Sequence, residues 1–359
     1  MSGFQQLSVD GFRRLCGVKV ELRDLTVMIG ANGSGKTSVL DVLSLLAASA
    51  QGKLGDRFRD LGGITGVLPA GRAQQLSFGL SLGSFRYDLS ISPSGIGYTI
   101  GSESLTNPMT GTLLGTNERQ SRWAPLLSET VLAQVSKTSP ELEQFRLDLA
   151  SSTYYHTLDV GPRSPVRLPQ PIRPASLPGA NGEDLVTCLY EMREADPDRF
   201  DAIQDALRAA FPGFDKLTFP PVAAGTLAML WRDRNFPNGF YTHQLAEGSI
   251  RFLWLATLLQ SAALPAVTLL DEPEVGLHPE LLSLFAELLR EASQRSQIIV
   301  ATHSDRLVRF LNPKEVVVAD LTEDGLTKLT WADSLDLERW LDEYTLDQVW
   351  AMGRLGGRA

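Results

Sequence analysis

The sequence predicts an α/β protein on a mixed central sheet, with an antiparallel meander and a mainly helical insertion. Three observations carry that expectation. An apolar strand, LTVMIG at 25–30, runs into a glycine-rich turn and then a helical pattern, TSVLDVLSLLAASA at 37–50. Nearly uninterrupted apolar stretches at 266–270 (AVTLL), 297–301 (QIIVA) and 315–320 (EVVVAD) alternate with helical patterns. Strands of that kind belong in a parallel sheet covered on both faces. Between these two ends, QLSFGLSL, SFRYDLSI and GIGYTIGS at 75–102 alternate apolar and polar residues, as antiparallel strands do.

In chain order, FQQLSVDGF at 4–12 and VKVEL at 18–22 predict two short strands before LTVMIG. After the meander, segments around 121–150 have helical spacing. Residues 161–178, GPRSPVRLPQPIRPASLP, hold six prolines and predict an extended connector rather than a core element. EDLVTCLYEMREAD at 183–196 and PDRFDAIQDALRAAF at 197–211 predict helices, as does the stretch from about Ser249 to Ala263. HPELLSLFAELLREAS at 278–293 is a further helix, with Pro279 in the first turn, where its missing N–H costs little. There is no sequence repeat and no long heptad run. The expected division is an N-terminal half at 1–101, a structural insertion at 102–240 and a C-terminal half at 241–359.

Composition narrows the class. With 359 residues, 43% hydrophobic and 21% charged, the chain can bury a substantial core. A formal charge of −9 argues against whole-surface binding of nucleic acid, leaving room only for a local patch of arginines. Cys16 and Cys188 lie far apart in no metal spacing, which suits a reducing cytosol. The N-terminus has no signal-peptide pattern. Gln260, Ser261 and Pro265 interrupt the most apolar stretch, 253–270, so no membrane span is expected. A cytoplasmic protein without a membrane partner is the expectation.

Residues 30–37, GANGSGKT, fit the pattern G-x-x-x-x-G-K-[ST] between a strand and a helix, the context that a phosphate loop requires. Gly30, Gly33 and Gly35 permit the tight turn that aims backbone N–H groups at phosphate oxygens. The candidate ATP-binding set is Gly30, Ala31, Asn32, Gly33, Ser34, Gly35, Lys36, Thr37 and Ser38. Lys36 would place charge on the β- and γ-phosphates, and Thr37 its hydroxyl on Mg²⁺. In LLDEPE at 269–274, Asp271 ends an apolar strand and would hold the Mg²⁺ shell, while Glu272 would polarise the attacking water. His303 ends the next strand, on the sheet edge where parallel α/β proteins bind ligands, and is the candidate γ-phosphate contact. Singly, these features are also met as a glycine turn, a solvated strand end and a structural histidine. Together they point to nucleotide chemistry.

DEPEVGLHPE, followed about thirty residues later by ATHSD, resembles the ABC-type ATPase heads of the RecF, SMC and OLD-nuclease branch. The resemblance spans nearly the whole chain, from GFRRL at 11–15 to the tail LDEYTLDQVWAMGRLGGR, and is strongest over 9–45 and 240–311. Within that branch the chain is similar to stand-alone bacterial ATPases of the AAA family. It implies a P-loop NTPase fold, ATP and Mg²⁺ as cofactors, and a signature loop, whose place is taken by LAEGSIR at 245–251. There Glu247, Gly248 and Ser249 would meet the γ-phosphate held by a second copy in a head-to-tail dimer. Ala246 stands where the family usually has a serine, forgoing a hydrogen bond to a charged group worth about 1.5–3 kcal/mol; Ser249 is a partial substitute. By the same resemblance VGLHP crosses the dimer interface with His278 as its polar contact. Arg57 and Arg59 fall where some relatives place an arginine near nucleotide or DNA, and a solvated surface is an equal reading for both. The family's Mg²⁺-sensing glutamine has four candidates, Gln74, Gln75, Gln120 and Gln134.

The function expected from all of this is an ATP-hydrolysing dimerisation switch serving DNA repair or phage defence. Thirty-nine residues follow Asp320, too few for an attached nuclease, so cutting would fall to a separate effector. The alternatives are the nucleotide-binding subunit of an ABC transporter and a non-hydrolysing ATP-binding regulator. Asp333, Asp336, Glu338, Asp342, Glu343 and Asp347 surround Trp340 and Trp350 in the tail. Packing of a terminal helix on its own domain is expected there, with partner docking as the other reading.

Overall fold

The computed structural model describes residues 3–69, 71–109, 111–117, 128–134, 140–222, 225–341 and 343–356. Two six-stranded sheets organise them. The first is antiparallel, in the order Val18–Glu21, Phe4–Asp10, Leu76–Leu82, Phe85–Ser94, Gly97–Asn107, Gly111–Asn117. It contains the expected meander, with the two N-terminal strands added at one edge. Alternation explains it: Leu76, Phe78, Leu80 and Leu82 are buried, while Ser77 and Ser81 between them are only partly so. The sheet continues through Asn117, within the stretch assigned to the insertion.

The second sheet has the order Thr327–Trp331, Val316–Leu321, Leu25–Ile29, Gln297–Ala301, Val267–Asp271, Thr153–Tyr155. All neighbours are parallel except Thr327–Trp331, which returns antiparallel. Its two faces feed different cores. Val27, Ile29, Leu270, Ile298, Val300, Val316 and Val318 join one. Met28, Leu269, Ile299, Ala301 and Val317 join the other. Burial on both faces is why these strands carry no polar alternation.

The helix Lys36–Gln51 lies between the sheets. Val39, Leu40, Leu43 and Leu46 share a core with Phe78, Leu80 and Tyr87 on one side and Leu269 and Ile299 on the other. The helix ends at Gly52, whose left-handed backbone (φ 70°) lets its N–H cap the carbonyls of Ala48 and Ser49. On the opposite face of the parallel sheet lie the helices Glu247–Gln260 and Leu282–Ser293, through residues such as Phe252, Leu255, Phe285 and Leu289.

Within 102–240 the structure has the two expected helices, Leu185–Ala195 and Pro197–Ala210, and also Val131–Gln134 and Pro140–Ala150. Its strand Thr153–Tyr155 forms the edge of the parallel sheet, so this stretch builds part of the central layer. The proline-rich run differs from the extended connector expected. Val166, Arg167 and Gln170 are buried within it. Prolines supply no N–H, and side chains meet the polar demand instead. The Arg167 guanidinium donates to the carbonyls of Val160 (2.7 Å) and Leu245 (2.9 Å). Gln170 donates to Gly182 O (2.6 Å) and accepts from Val186 N (2.7 Å). The terminal helix Leu346–Ala351 places Leu346, Val349 and Trp350 in the same core as Phe285 and Leu289, which is packing on its own domain. No described helix is long and apolar enough to cross a membrane.

Candidate active site

The strand Leu25–Ile29 hands over to a turn whose glycines have specific work. Gly30 has φ 145°, and a Cβ there would sit 2.1 Å from the Ala319 carbonyl oxygen. Gly35 has φ 105°, and a Cβ there would sit 2.3 Å from Thr327 Oγ1. Both positions exclude a side chain by backbone conformation and by contact. Thr327 Oγ1 donates to Ser34 O at 2.8 Å, so the hairpin partner of Val316–Leu321 clamps the loop. The helix at Lys36 starts at Gly35 without a side-chain cap, so no side chain of the cap residue takes up its first N–H groups.

Lys36 is 3% exposed, with Nζ donating to Gly30 O (2.7 Å) and Ala31 O (2.9 Å). Burial lowers its pKa to about 8, against the opposing charges of Glu272, Asp271 and Glu274. Thr37 Oγ1 donates to Asp271 Oδ1 at 3.2 Å. Asp271 is level with Ala301 on the neighbouring strand, which brings the ends of the two strands together. Glu272 then turns with φ 50°, a left-handed conformation uncommon for any residue but glycine. Its N–H bonds Ala301 O (2.8 Å), and its Oε1 lies 3.0 Å from His303 Nε2.

His303 Nδ1 lies 3.1 Å from Lys36 Nζ and 3.2 Å from Gly30 O. Burial, and then the charge of Lys36, lower the imidazole pKa, which favours the neutral ring. The tautomer that serves both charged neighbours carries its proton on Nε2, donates to Glu272 and accepts from Lys36. Lys36, His303 and Glu272 thus form one bonded set and Thr37 and Asp271 a second, held side by side because 36 and 37, and 271 and 272, are chain neighbours.

Other residues join them that their sequence context did not mark. Tyr154 OH donates to Asp271 Oδ2 at 3.1 Å. Burial and the adjacent Asp271 charge raise the phenol pKa, so the hydroxyl remains a donor. The His156 ring lies 4.2 Å from the Tyr154 ring, tilted by 43°, with Nδ1 3.8 Å from Asp271 Oδ2. The β-branched and aromatic run TYYHT was the available signal, beside the proline-rich stretch. Asp41, on the phosphate-loop helix, is held by two guanidinium groups, Arg13 at 2.7 Å and Arg57 at 2.8 Å. Arg57 is therefore half of an internal clamp, whereas Arg59 is exposed and pairs with Asp56. Glu274 is buried behind Glu272 and accepts the Thr302 hydroxyl; burial raises its pKa.

The residues fit a magnesium nucleotide. A pocket of about 210 Å³ is lined by Arg13, Arg14, Lys36, Thr37, Ser38, His303 and two of the loop glycines, Gly33 and Gly35. Three cations and free helix N–H groups suit a polyphosphate. Among the described residues no group of three or more His, Cys, Asp or Glu gathers to hold a metal. Thr37 and Asp271 would supply two hard oxygens to Mg²⁺, a cation that takes few protein ligands beside phosphate and water. A larger groove, about 820 Å³, runs over the antiparallel sheet past Asp10, Lys19 and Asp88 and contains none of these groups.

The signature-like segment lies apart from the loop. The helix Glu247–Gln260 starts at Ala246 without a side-chain cap, and Ala246 and Glu247 are exposed. A Cβ on Gly248 would lie 3.0 Å from Gly276 O, so the loop after the acids packs on the helix start. Among the described residues, no hydrogen bond or ion pair joins 245–251 to 30–38. His278 is exposed, and its ring accepts Glu280 N at 3.5 Å. Of the glutamine candidates, Gln75 bonds Ser77, Gln134 bonds the Glu129 carbonyl and Gln74 is exposed; none of the three bonds Asp271. Gln120 lies outside the described residues.

Known proteins share parts of this sequence and fold. Residues 25–309 match the AAA_21 family model, described as "AAA domain, putative AbiEii toxin, Type IV TA system". A Methanosarcina acetivorans protein named "Putative ABC transporter ATP-binding protein" is 39% identical over 79 residues, 22% of this chain. That match spans only 28% of the relative's own length. Among solved structures, an SMC head bound to the C-winged helix domain of ScpA superposes with a TM-score of 0.55 at 15% identity, covering 91% of this chain and 97% of the other. An SMC head with an extended coiled coil, bound to the C-terminal domain of ScpA from Pyrococcus furiosus, gives a TM-score of 0.55 at 13% identity, covering 95% and 98%. At these identities the likeness is one of fold.

Proposed function

This chain belongs to the AAA_21 family, and from that premise we propose that it is a Mg²⁺-dependent ATPase working as an ATP-driven dimerisation switch. The observation that carries this reading is the incompleteness of the site. Lys36 bonds His303, which pairs with Glu272, and Thr37 bonds Asp271, while among the described residues the helix start at 246–248, exposed at Ala246 and Glu247, makes no bond to them. A second copy, related by a two-fold axis, would bring its own Glu247, Gly248 and Ser249 to the phosphate end. With Ala246 at the helix start, that contact would rest on backbone N–H groups and Ser249 rather than on a side-chain cap.

In this scheme Lys36 exchanges the carbonyls of Gly30 and Ala31 for phosphate oxygens. Mg²⁺ held through Thr37 and Asp271 would neutralise charge on the β- and γ-oxygens. Glu272 orients the attacking water and accepts its proton. His303, fixed between Lys36 and Glu272, contacts the γ-phosphate and couples the charge there to the acid. Water-excluding closure comes from the second copy, so hydrolysis reopens the pair.

The biological setting we infer is phage defence or DNA repair in the cytoplasm, with a separate effector such as a nuclease and DNA held at a local patch. The toxin named in the family's description favours defence. The test is phosphate release by the purified chain with ATP and Mg²⁺, wild type against Glu272→Gln. A fall of about 10²–10⁴-fold is expected from loss of the base. Equal rates in the two proteins would refute the assignment, and cutting of DNA by the chain alone would remove the separate effector.

A further inference from the structure

Asp271 is gripped from two sides. Thr37, on the phosphate-loop helix, donates to Oδ1 at 3.2 Å. Tyr154 donates to Oδ2 at 3.1 Å from a different part of the chain, the edge strand Thr153–Tyr155. The register that makes this possible pairs Tyr154 with Leu269 and Tyr155 with Leu270. Leu269 faces the core of the phosphate-loop helix and Leu270 the opposite core, so the two tyrosines part company. Tyr155 packs edge-on against Trp254 at 5.7 Å. Tyr154 goes to the carboxylate.

The position of the phenol is itself determined by packing. The Arg57 guanidinium lies 5.5 Å from the Tyr154 ring centroid, and Arg57 is tied to Asp41 of the phosphate-loop helix at 2.8 Å. His156 packs against the ring at a tilt, 4.2 Å between centroids. Just downstream, Thr157 Oγ1 donates to the Glu272 carbonyl at 3.2 Å, which fastens the strand's exit to the turn after Asp271. The exposed His156 has its Nδ1 3.8 Å from the same Oδ2, beyond hydrogen-bond distance. A carboxylate with one oxygen free can rotate about its Cβ–Cγ bond. Partners in the outer shell suppress that freedom, and their loss typically lowers metal affinity about 10–100-fold.

We propose that Tyr154 is a positioning residue for the Mg²⁺ site, orienting the Asp271 carboxylate from the edge strand. The position filled in this chain by a phenol is one that none of Gln74, Gln75 and Gln134 reaches. The inference rests on the reading of Asp271 as the Mg²⁺ carboxylate. It makes the stretch 102–240 a contributor to metal affinity as well as to the fold.

The experiment uses the full chain and a fluorescent ATP analogue, titrated in EDTA and then with Mg²⁺ at fixed nucleotide. The variants are Tyr154→Phe, which removes only the hydroxyl, and Asp271→Asn. Tyr154→Phe should leave affinity in EDTA unchanged and raise the Mg²⁺ concentration for half-maximal enhancement by about tenfold. A Mg²⁺ midpoint equal to wild type, while Asp271→Asn abolishes the enhancement, would overturn the role of Tyr154 and leave the metal reading standing. An equal loss of affinity with and without Mg²⁺ would show that Tyr154 acts on the loop, and would also overturn it. Full Mg²⁺ enhancement in Asp271→Asn would instead remove the reading on which the inference rests.

Discussion

Glu272 and His303 meet at the ends of adjacent parallel strands, Oε1 to Nε2 at 3.0 Å, and Glu272 adopts φ 50° to make the contact. A left-handed conformation costs a residue with a Cβ about 1–2 kcal/mol, which glycine avoids. Glycine loses about 0.4–1 kcal/mol of that advantage through its freer unfolded chain. Glu272→Gly should therefore be more stable than Glu272→Ala by about 0.5–1 kcal/mol, measured by urea unfolding, with phosphate release lost in both. Equal stability of the two variants would mean that the site holds no backbone strain at this residue.

Thr327 holds the phosphate loop from outside, through a hydrogen bond to Ser34 O and contact with Gly35. Thr327→Ala should cost about 1 kcal/mol of loop order, seen as roughly fivefold weaker binding of a fluorescent ATP analogue. Thr327→Ser keeps the hydroxyl and should bind like wild type. A serine variant as weak as the alanine variant would transfer the effect from the hydrogen bond to the lost methyl.

Glu103 is fully buried in the antiparallel sheet, where it accepts the N–H groups of Val131 and Leu132 and the Tyr87 hydroxyl. Burial raises its pKa, outweighing those donors. A carboxyl whose folded pKa lies above its unfolded value binds more protons when folded. Its contribution is complete below the unfolded value and declines as pH rises through the folded one. Glu103→Gln lacks that decline, so its melting temperature should gain on wild type as pH is raised from 4.5 toward 8. A constant difference across that range would contradict the shift.

Much of the site was legible because its chemistry is local. GANGSGKT fixes loop and helix by glycine conformation, and LLDEPE and ATHSD end buried strands whose parallel register follows from their unbroken apolar runs. What escaped was contributed by strand pairing across long sequence separation. Tyr154 reaches Asp271 only because three residues pair with a strand more than a hundred positions away. Arg13 and Arg57 converge on Asp41 through tertiary packing that no spacing encodes. The proline run 161–178 misled for a physical reason: proline content signals extended backbone, and burial of Arg167 and Gln170 depends on carbonyls supplied from elsewhere.

The central claim is that one chain carries half of a shared site. The direct test is the mass of Glu272→Gln by light scattering at saturating ATP and Mg²⁺, with ADP as the control. With hydrolysis blocked, the account predicts a dimer with ATP and a monomer with ADP, and a monomer in both when Gly248→Asp is added at the helix start. Glu272→Gln that stays monomeric with ATP bound would contradict it, and the phosphate loop would then be a site that works alone.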